Sequence, residues 1–402
     1  MKEKLSNRIK NIQGNSVRKI FSLLTKPEII SFAGGFPTKK TLPLETIKTL
    51  ANQVLSSSNA HDVLQYGPSE GYVPLKNEIF KFLDKYKGIK DLSLKNMLVI
   101  SGGQQGIDFM CKCFINPGDI VLVEDPTYLA ALQIMKTYEG IPVGVASNED
   151  GLDIVDLEEK IKMYKPKFLY CVPTFSNPSG KSYSLENRKK IIEVINKYEL
   201  HVLEDDPYSL INYSGNMIET LKSLDSKDLV VYITSFSKII APSLRCGALV
   251  ASEELVERFG VAKQTTDVQT STLSQAIVCE FLKNDILENH LDYIIPIYKE
   301  KKDKMIEAIK KYMPQGFNFI NPEGGLFIWG EFDKGLNINT REHFEKVVTL
   351  DVVYLPGDDF YASQGFTNAM RLNFSNASLE EIEKGIKIIG QYFTDVVKNK
   401  EN

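Results

Sequence analysis

Short apolar segments alternate with helix-like segments between about residues 95 and 251, and this alternation constrains the possible folds more than any other feature of the chain. The apolar segments are rich in β-branched residues, as buried strands are. They are Met97–Ser101, Ile120–Glu124, Ile141–Ala146, Phe168–Val172, His201–Glu204, Leu229–Ser235 and Gly247–Ala251. Helical segments such as Leu185–Tyr198 fill the gaps between them. The pattern predicts an α/β fold with a mostly parallel, doubly wound sheet.

The pattern changes after about residue 290. Three apolar segments there are predicted to be strands, and the first two are expected to pair with each other. They are Phe317–Ile320, Leu326–Phe332 and Met370–Phe374. Asn339 with Glu342, and Ser378 with Glu381, have the spacing of capping boxes and predict two helix starts. Mixed strands and helices of this kind are typical of a smaller α+β domain.

A long helical stretch, Leu273–Met313, lies between the two regions. We expect Pro296 to interrupt or bend it, because proline removes a helical hydrogen bond. The first residues contain a glycine-rich bend, Ser31–Pro37, and are predicted to form an arm. The predicted organisation is an N-terminal arm over residues 1–45 that packs on the small domain, a large domain over 46–290 and a small domain over 291–402.

Composition argues against several classes of function. The 402-residue chain has a formal net charge of −4, so it has no global attraction for nucleic acid or anionic lipid. Its first residues lack the apolar core of a secretory signal, and no segment approaches the roughly 18 consecutive apolar residues of a membrane helix. Five cysteines without regular spacing favour reduced thiols in a cytoplasmic protein, and four scattered histidines give no support for a metal site.

Lys238 carries the strongest functional signal. It follows a predicted strand at the edge of the sheet where open α/β folds bind ligands. Ser235 and Ser237 bring hydroxyl groups to the same edge, and Arg245 adds a planar cation that suits a phosphate. An amine beside a phosphate site is what pyridoxal 5′-phosphate needs, because the amine forms the Schiff base with it. On this segment alone, the alternative is a solvated lysine at a strand end.

Several other segments are predicted to reach the same edge. Gly103 and Gln104 lie in a glycine-rich turn before a helix, where free N–H groups bind anions. Asp205 and Asp206 follow an apolar segment, and a carboxylate at this place can pair with a protonated pyridine nitrogen. Asn177 follows another predicted strand, and Tyr128 offers an aromatic face. Taken singly, each has an ordinary alternative, such as a common glycine turn, a solvated or helix-capping acid, or a β-turn.

Four motifs in order resemble those of the class I/II aminotransferases, which belong to the fold-type-I superfamily of pyridoxal-phosphate-dependent enzymes. They are Asn-Pro-Ser-Gly from Asn177, Asp-Asp-Pro-Tyr from Asp205, Ser-Phe-Ser-Lys ending at Lys238, and Arg-Leu-Asn-Phe from Arg371. The similarity spans nearly the whole chain. It implies that Lys238 forms the Schiff base and moves a proton between Cα and C4′, while Asp205 pairs with the pyridinium nitrogen.

The resemblance also implies the other cofactor contacts. Asn177 and Tyr208 would hydrogen-bond the phenolic oxygen, and Tyr128 would stack on the ring. The residues around the phosphate would be Gly103, Gln104, Ser235, Ser237 and Arg245. Tyr66 would reach the phosphate of the neighbouring subunit, which implies a homodimer.

Substrate contacts follow from the same resemblance. Arg371 would bind the α-carboxylate bidentately, with Asn177 beside it. The bend at Ser31–Pro37 is similar to that of the branch containing 2-aminoadipate, kynurenine, branched-chain and aromatic aminotransferases, and it would place Gly35 at the substrate mouth. Arg18, on the arm, would recognise the distal carboxylate of an acidic substrate. Its alternative is a solvated arginine on an amphipathic arm helix.

The expected function is a ping-pong aminotransferase that moves the amino group of an L-amino acid to a 2-oxo acid, with 2-oxoglutarate as the acceptor. The donor is left open among 2-aminoadipate, aromatic and branched-chain amino acids. Two alternatives remain: a lyase or decarboxylase that uses the same cofactor, and a catalytically silent sensor domain. The near-neutral charge and the lack of a DNA-binding module count against the sensor.

Overall fold

The computed structural model describes residues 4–10, 28–363, 365 and 367–401. Its strands are β1 Ile30–Ser31, β2 Met97–Ile100, β3 Ile120–Glu124, β4 Ile141–Val145, β5 Phe168–Cys171, β6 His201–Asp206, β7 Val230–Ser235, β8 Gly247–Val250, β9 Phe317–Phe319, β10 Phe327–Phe332, β11 Val352–Val353, β12 Leu355–Pro356 and β13 Ala369–Asn373. Its α-helices are α1 Asn7–Lys10, α2 Leu44–Leu55, α3 Ala60–Leu64, α4 Val73–Lys87, α5 Gly103–Phe114, α6 Leu129–Thr137, α7 Ile154–Tyr164, α8 Leu185–Tyr198, α9 Leu221–Leu224, α10 Glu253–Gln264, α11 Thr272–Phe281, α12 Ile286–Tyr312, α13 Thr340–Val348 and α14 Leu379–Glu401.

Seven strands form the large sheet in the order β2-β8-β7-β6-β5-β3-β4. The pairs from β7 through β6, β5 and β3 to β4 are parallel, and only β8 runs antiparallel to its two neighbours. The mostly parallel α/β sheet predicted from the sequence is therefore confirmed. The strand β3 has the predicted bounds, and those of the other six strands differ from the predicted ones by one or two residues; the largest difference is that β6 continues through Asp206.

Helices cover both faces of this sheet, as a doubly wound fold requires. Leu98, Leu203 and Ile233 point to one face and pack with α5, α6 and α10. Val99 and Val202 point to the other face, where α4 and α8 contribute to the core. Since side chains alternate along a strand, every second residue belongs to the same layer.

A second, antiparallel sheet has the order β12-β13-β10-β9. The predicted pairing of the two strands around residues 317–332 is confirmed by the register Gly330↔Phe319. At the last helix, Ser378 and Glu381 exchange side-chain to backbone hydrogen bonds at 2.7 and 3.1 Å, as expected of a capping box. At α13, Asn339 accepts a hydrogen bond from the Arg341 N–H, while Glu342 binds the Asn339 side chain rather than its backbone.

Two features concern the predicted domain organisation. The arm strand β1 pairs with β11 in the register Ile30↔Val352, and Phe32 O accepts a hydrogen bond from Asn373 N at 2.8 Å. The helix α12 begins at Ile286 and packs along α14. The division at residues 45 and 290 stays a prediction.

Of the two effects predicted for Pro296, the interruption is wrong and the bend stays a prediction. The helix α12 continues through Pro296, and Leu291, Ile294 and Tyr298 around it are buried. Packing on both sides of the proline stabilises the helix although one backbone hydrogen bond is lost. The helical stretch is instead broken between α11 and α12, where Asn284 and Asp285 have φ values of 55° and 56°.

None of the helices in the described ranges combines the length and the apolar character that crossing a membrane demands.

Gly390 lies where α14 crosses the end of α12, and a Cβ there would lie 2.2 Å from Tyr312 O. We expect Gly390→Ala to lower the free energy of unfolding by about 1–3 kcal/mol, because backbone must move to admit the methyl group. The control is Gly260→Ala in α10, where a Cβ would meet nothing within 4 Å. That change should raise stability by up to about 1 kcal/mol, since alanine favours helix more than glycine does. Urea denaturation measures both, and equal effects would contradict the packing at Gly390.

Candidate active site

A cavity of about 440 Å³ lies at the carboxyl ends of β5, β6 and β7. Twelve of the fourteen predicted site residues line it, although they come from widely separated parts of the chain. They are Gly35, Gly103, Gln104, Tyr128, Asn177, Asp205, Tyr208, Ser235, Ser237, Lys238, Arg245 and Arg371. Convergence of titratable groups in one cleft at this sheet edge is typical of an active site.

An anion cradle forms at one part of the cavity. The helix α5 begins at Gly103, and its first N–H groups have no helical acceptor. Arg245 donates to Ser101 O at 2.8 Å and to Ser237 Oγ at 3.4 Å. Gly102, with φ of 83°, lets the arginine approach, because a Cβ there would lie 2.5 Å from its Nη2. A guanidinium, serine hydroxyls and a helix N-terminus therefore meet, as a phosphate group requires.

Asp205 faces this cavity. Its carboxylate is buried and accepts a hydrogen bond from the Tyr170 hydroxyl at 2.9 Å. Burial, reinforced by the charge of Asp206, raises the pKa of Asp205 to about 7 although the Tyr170 hydrogen bond opposes the shift. No lysine or arginine of the described ranges forms an ion pair with it, so a bound cation at this place would stabilise its charged form.

Asp206 points the opposite way, because consecutive residues of a strand face opposite sides of the sheet. It pairs with Lys87 Nζ at 2.8 Å and accepts the Tyr232 hydroxyl at 2.8 Å. Burial acts to raise the pKa of Asp206, but Lys87 and the hydrogen bonds hold it below its ordinary value. From the sequence we expected both acids to follow the strand. Both instead lie within β6, where the alternation of side chains places them on opposite faces of the sheet.

Lys238 follows β7 and extends its amine into the cavity, where Nζ donates to Gly35 O at 2.7 Å. Burial, together with the charges of Arg371 and Arg245, lowers the pKa of Lys238 to about 8. A neutral amine is therefore available near physiological pH, which nucleophilic and proton-transfer chemistry both need.

Arg371, on β13, donates hydrogen bonds to two other parts of the chain. Nη1 donates to Asn177 Oδ1 at 2.7 Å, and Nη2 donates to Ala33 O on the arm. Its Nε is buried without a hydrogen-bond partner among the described residues. Burial lowers the pKa of Arg371 to about 10. A buried guanidinium with an unsatisfied donor is suited to bind a carboxylate.

Of the two remaining predicted site residues, one is described by the structure and does not line the cavity. Tyr66 is 81% exposed on the surface. Arg18 lies outside the described residues, so its assignment stays a prediction.

Sequence reasoning missed two supporting residues. Tyr170, which donates to Asp205, lies on β5 opposite Leu203 of β6. The signal that could have identified it is a polar side chain on the neighbouring strand, on the same face of the sheet as Asp205. Glu124, at the end of β3, is buried and accepts from Val172 N, Ser176 Oγ and Tyr183 Oη at 2.6 to 3.0 Å. Burial raises the pKa of Glu124 to about 8. It fixes the loop that carries Asn177, but a lone glutamate at a strand end gives no signal of that role.

Comparison with known proteins identifies the family. The family model for aminotransferase class I and II matches residues 27–389. The chain belongs to this family. It is 35% identical to aromatic-amino-acid aminotransferase 1 of Thermococcus litoralis, over 98% of this chain and 94% of the relative.

Solved structures give the same result. A kynurenine aminotransferase of Pyrococcus horikoshii, solved in complex with PMP, is 36% identical, with a TM-score of 0.93 over 100% of this chain and 98% of that one. The α-aminoadipate aminotransferase LysN of Thermus thermophilus, complexed with N-(5′-phosphopyridoxyl)-L-leucine, is 30% identical, with a TM-score of 0.90 over 98% of each chain.

The chain is thus an aminotransferase that uses pyridoxal 5′-phosphate. The cavity fits that cofactor in three respects. The anion cradle suits the phosphate, the uncompensated Asp205 suits a protonated ring nitrogen, and the Lys238 amine suits the aldehyde.

The opposite orientations of the two aspartates give a matched test. Asp205→Asn should leave the fold intact and reduce turnover by orders of magnitude, because an amide cannot stabilise the protonated ring nitrogen. Asp206→Asn should leave the turnover of the folded enzyme near that of the wild type but lower the free energy of unfolding by about 3 kcal/mol or more, since Lys87 would remain buried without its counter-ion. Steady-state rates and urea denaturation measure the two effects. Turnover lost equally in both variants would contradict the assignment.

Proposed function

We propose that this enzyme transfers the amino group of an L-amino acid with an apolar or aromatic side chain to 2-oxoglutarate by a ping-pong cycle, as a homodimer. The observation that carries this proposal is the meeting of one amine, Lys238, and one carboxylate-binding cation, Arg371, in the same cavity. The amine serves the chemistry, and the guanidinium serves the recognition of the substrate.

Each residue has a separate task in the proposed reaction. When bound, the cofactor supplies an electron sink that weakens the bond between the substrate Cα and its hydrogen. Arg371 binds the α-carboxylate and fixes the direction in which the Cα hydrogen points. The Lys238 amine takes that proton, and its lowered pKa suits a base near neutral pH. Asp205 holds a proton on the ring nitrogen, which keeps the sink effective.

The number of cations supports a ping-pong cycle. Among the described residues that line the cavity, the cations are Lys238, Arg245 and Arg371. Arg245 contacts the Ser237 hydroxyl of the anion cradle, and Lys238 is the reacting amine. Arg371 is then the single anchor for an α-carboxylate, so the amino donor and the oxo acid must use it in turn.

The rest of the lining favours apolar donors. Most of the remaining lining residues are apolar, among them Phe36, Leu129, Ala130 and Leu355, whereas Gln133 is polar. Arg18 remains the proposed contact for the distal carboxylate of 2-oxoglutarate or 2-aminoadipate.

An amino-acid panel with 2-oxoglutarate tests the reaction. We expect phenylalanine, tyrosine, kynurenine or leucine to yield glutamate and the matching oxo acid, and the donor alone to yield one equivalent of oxo acid per active site. Lys238→Ala should abolish both results, because the base and the covalent attachment are lost. Pyruvate with ammonia would indicate a lyase, CO₂ would indicate a decarboxylase, and no product from any donor would favour a sensor domain.

The proposal of a homodimer is based on the surface around Tyr66. Its side chain is exposed, and apolar Leu64, Val73 and Val268 are 65, 44 and 49% exposed on the same chain. The Gly67 N–H donates to Gln269 Oε1, which brings the segment of Tyr66 next to that of Val268. An exposed aromatic residue with apolar neighbours is typical of a surface that contacts another chain.

Mixed dimers test whether Tyr66 acts on the partner's site. Lys238→Ala chains should be inactive alone, and Tyr66→Ala chains should be weakly active alone. Co-refolding them should restore about a quarter of wild-type activity in the mixture and about half in the purified hybrid, because half of the dimers are hybrids and each hybrid contains one site with neither change. Activity in the purified, differently tagged hybrid is the measurement. No recovery in a hybrid that does form would mean that Tyr66 does not serve the partner's site.

A further inference from the structure

The Arg371 guanidinium lies between two aromatic rings. Its Cζ is 4.3 Å from the centroid of Phe327 and 5.0 Å from that of Phe360. Rings over a guanidinium attract the cation and exclude water from its faces, so its hydrogen-bonding capacity is confined to the edge of the plane. The two rings therefore determine the plane in which a carboxylate must approach.

Phe360 is set by a short turn, Gly357–Phe360, and not by the strand that carries Arg371. Its backbone O accepts from Thr127 N at 2.7 Å, and its ring packs edge-on against Trp329 at 5.7 Å. The turn contacts both the helix α13 and the strand β13, and it carries Phe360 itself, so any residue that fixes the turn also fixes the second ring.

Arg341, near the start of α13, fixes this turn. Its Nε donates to Asp358 Oδ1 and Oδ2 at 3.1 and 2.9 Å, and Nη2 donates to Oδ1 at 2.7 Å. Nη2 also lies 2.7 Å from Asp359 Oδ2. One guanidinium thus contacts two consecutive carboxylates: it binds Asp358 in the bidentate geometry that restricts orientation most strongly, and it forms an ion pair with Asp359.

Asp359 is adjacent to Phe360 and close enough for its charge to act on Arg371. Burial lowers the pKa of Arg371, and Asp359 is among the groups that oppose this shift, after Tyr208 and Tyr128. Yet no carboxylate in the described part of the chain lies within ion-pair distance of Arg371. The Arg341 pair directs Asp359 away from the guanidinium that the proposed function reserves for the substrate.

We propose that Arg341 is a positioning residue for substrate binding: by holding Asp358 and Asp359 it keeps the Phe360 ring on Arg371 and keeps Asp359 from occupying the carboxylate site. This inference rests on the proposed role of Arg371. It predicts that loss of Arg341 lowers the affinity for every substrate with an α-carboxylate, whether amino acid or oxo acid, and leaves the affinity for the cofactor unchanged.

The test compares Arg341→Met with Arg341→Met/Asp359→Asn. The single change should weaken binding of 3-phenylpropionate, a carboxylate without an amino group, by about three- to thirtyfold. KM for donor and acceptor should rise by the same factor, while kcat and cofactor retention stay near the wild-type values. The double variant should recover most of the affinity, because the competing carboxylate is gone. The control is Arg258→Met, which removes an exposed arginine of α10 and should change nothing.

Other results would overturn the inference. An unchanged affinity with a lowered melting temperature would show that Arg341 is purely structural. A loss of affinity that Asp359→Asn does not relieve would show that Asp359 does not compete for the carboxylate site. If Arg341→Met does not fold, Arg341→Lys, which retains a charge but not the fork, should give a smaller loss of the same kind. Because 3-phenylpropionate binding needs no turnover, a wild-type enzyme that binds it without transferring an amino group would refute the proposed function and still test this inference.

Discussion

Three ionisable groups share one cavity without forming ion pairs with other residues of the described ranges: the buried Asp205 and Arg371 and the partly buried Lys238. Burying an uncompensated charge costs several kcal/mol, so each group shifts its pKa towards its neutral form. Burial brings the pKa of Asp205 to about 7 and that of Lys238 to about 8. A cofactor with a cationic ring nitrogen and an aldehyde would satisfy Asp205 and Lys238, and the carboxylate of a substrate would satisfy Arg371. The surrounding structure therefore keeps these groups apart from one another and limits their contact with water.

The sequence predicts the parts of this arrangement that depend on local pattern. Strand ends are visible as the last residues of apolar segments, so Ser235, Lys238 and Asn177 could be assigned to one edge from the pattern alone. The choice between Asp205 and Asp206 rested on resemblance, because it depends on where β6 ends, and a shift of one residue exchanges the two faces. Pro296 failed as a helix break because the packing of α12 against its neighbours outweighs a local signal.

The residues that position the site are harder to predict, since their partners are distant in sequence. Glu124 holds Ser176 and Tyr183 more than 50 residues away, and Arg341 holds a turn whose ring acts on a third segment. Each looks like an ordinary charged residue in its own segment. Only the fold brings them to their partners, so the chemically reacting groups could be predicted while most of the groups that orient them could not.

The arm contributes backbone oxygens to two of the three cations that line the cavity in the described part of the chain. Gly35 O accepts from Lys238 Nζ, and Ala33 O accepts from Arg371 Nη2. Gly35 is needed there because a Cβ would lie 2.9 Å from the Phe327 ring, the same ring that stacks on Arg371. A substrate that takes donors from either cation must therefore change the contacts of this bend. By linkage, the affinity for substrate and the position of the arm influence each other equally. A residue carried by the arm can then affect substrate choice through the position of the bend.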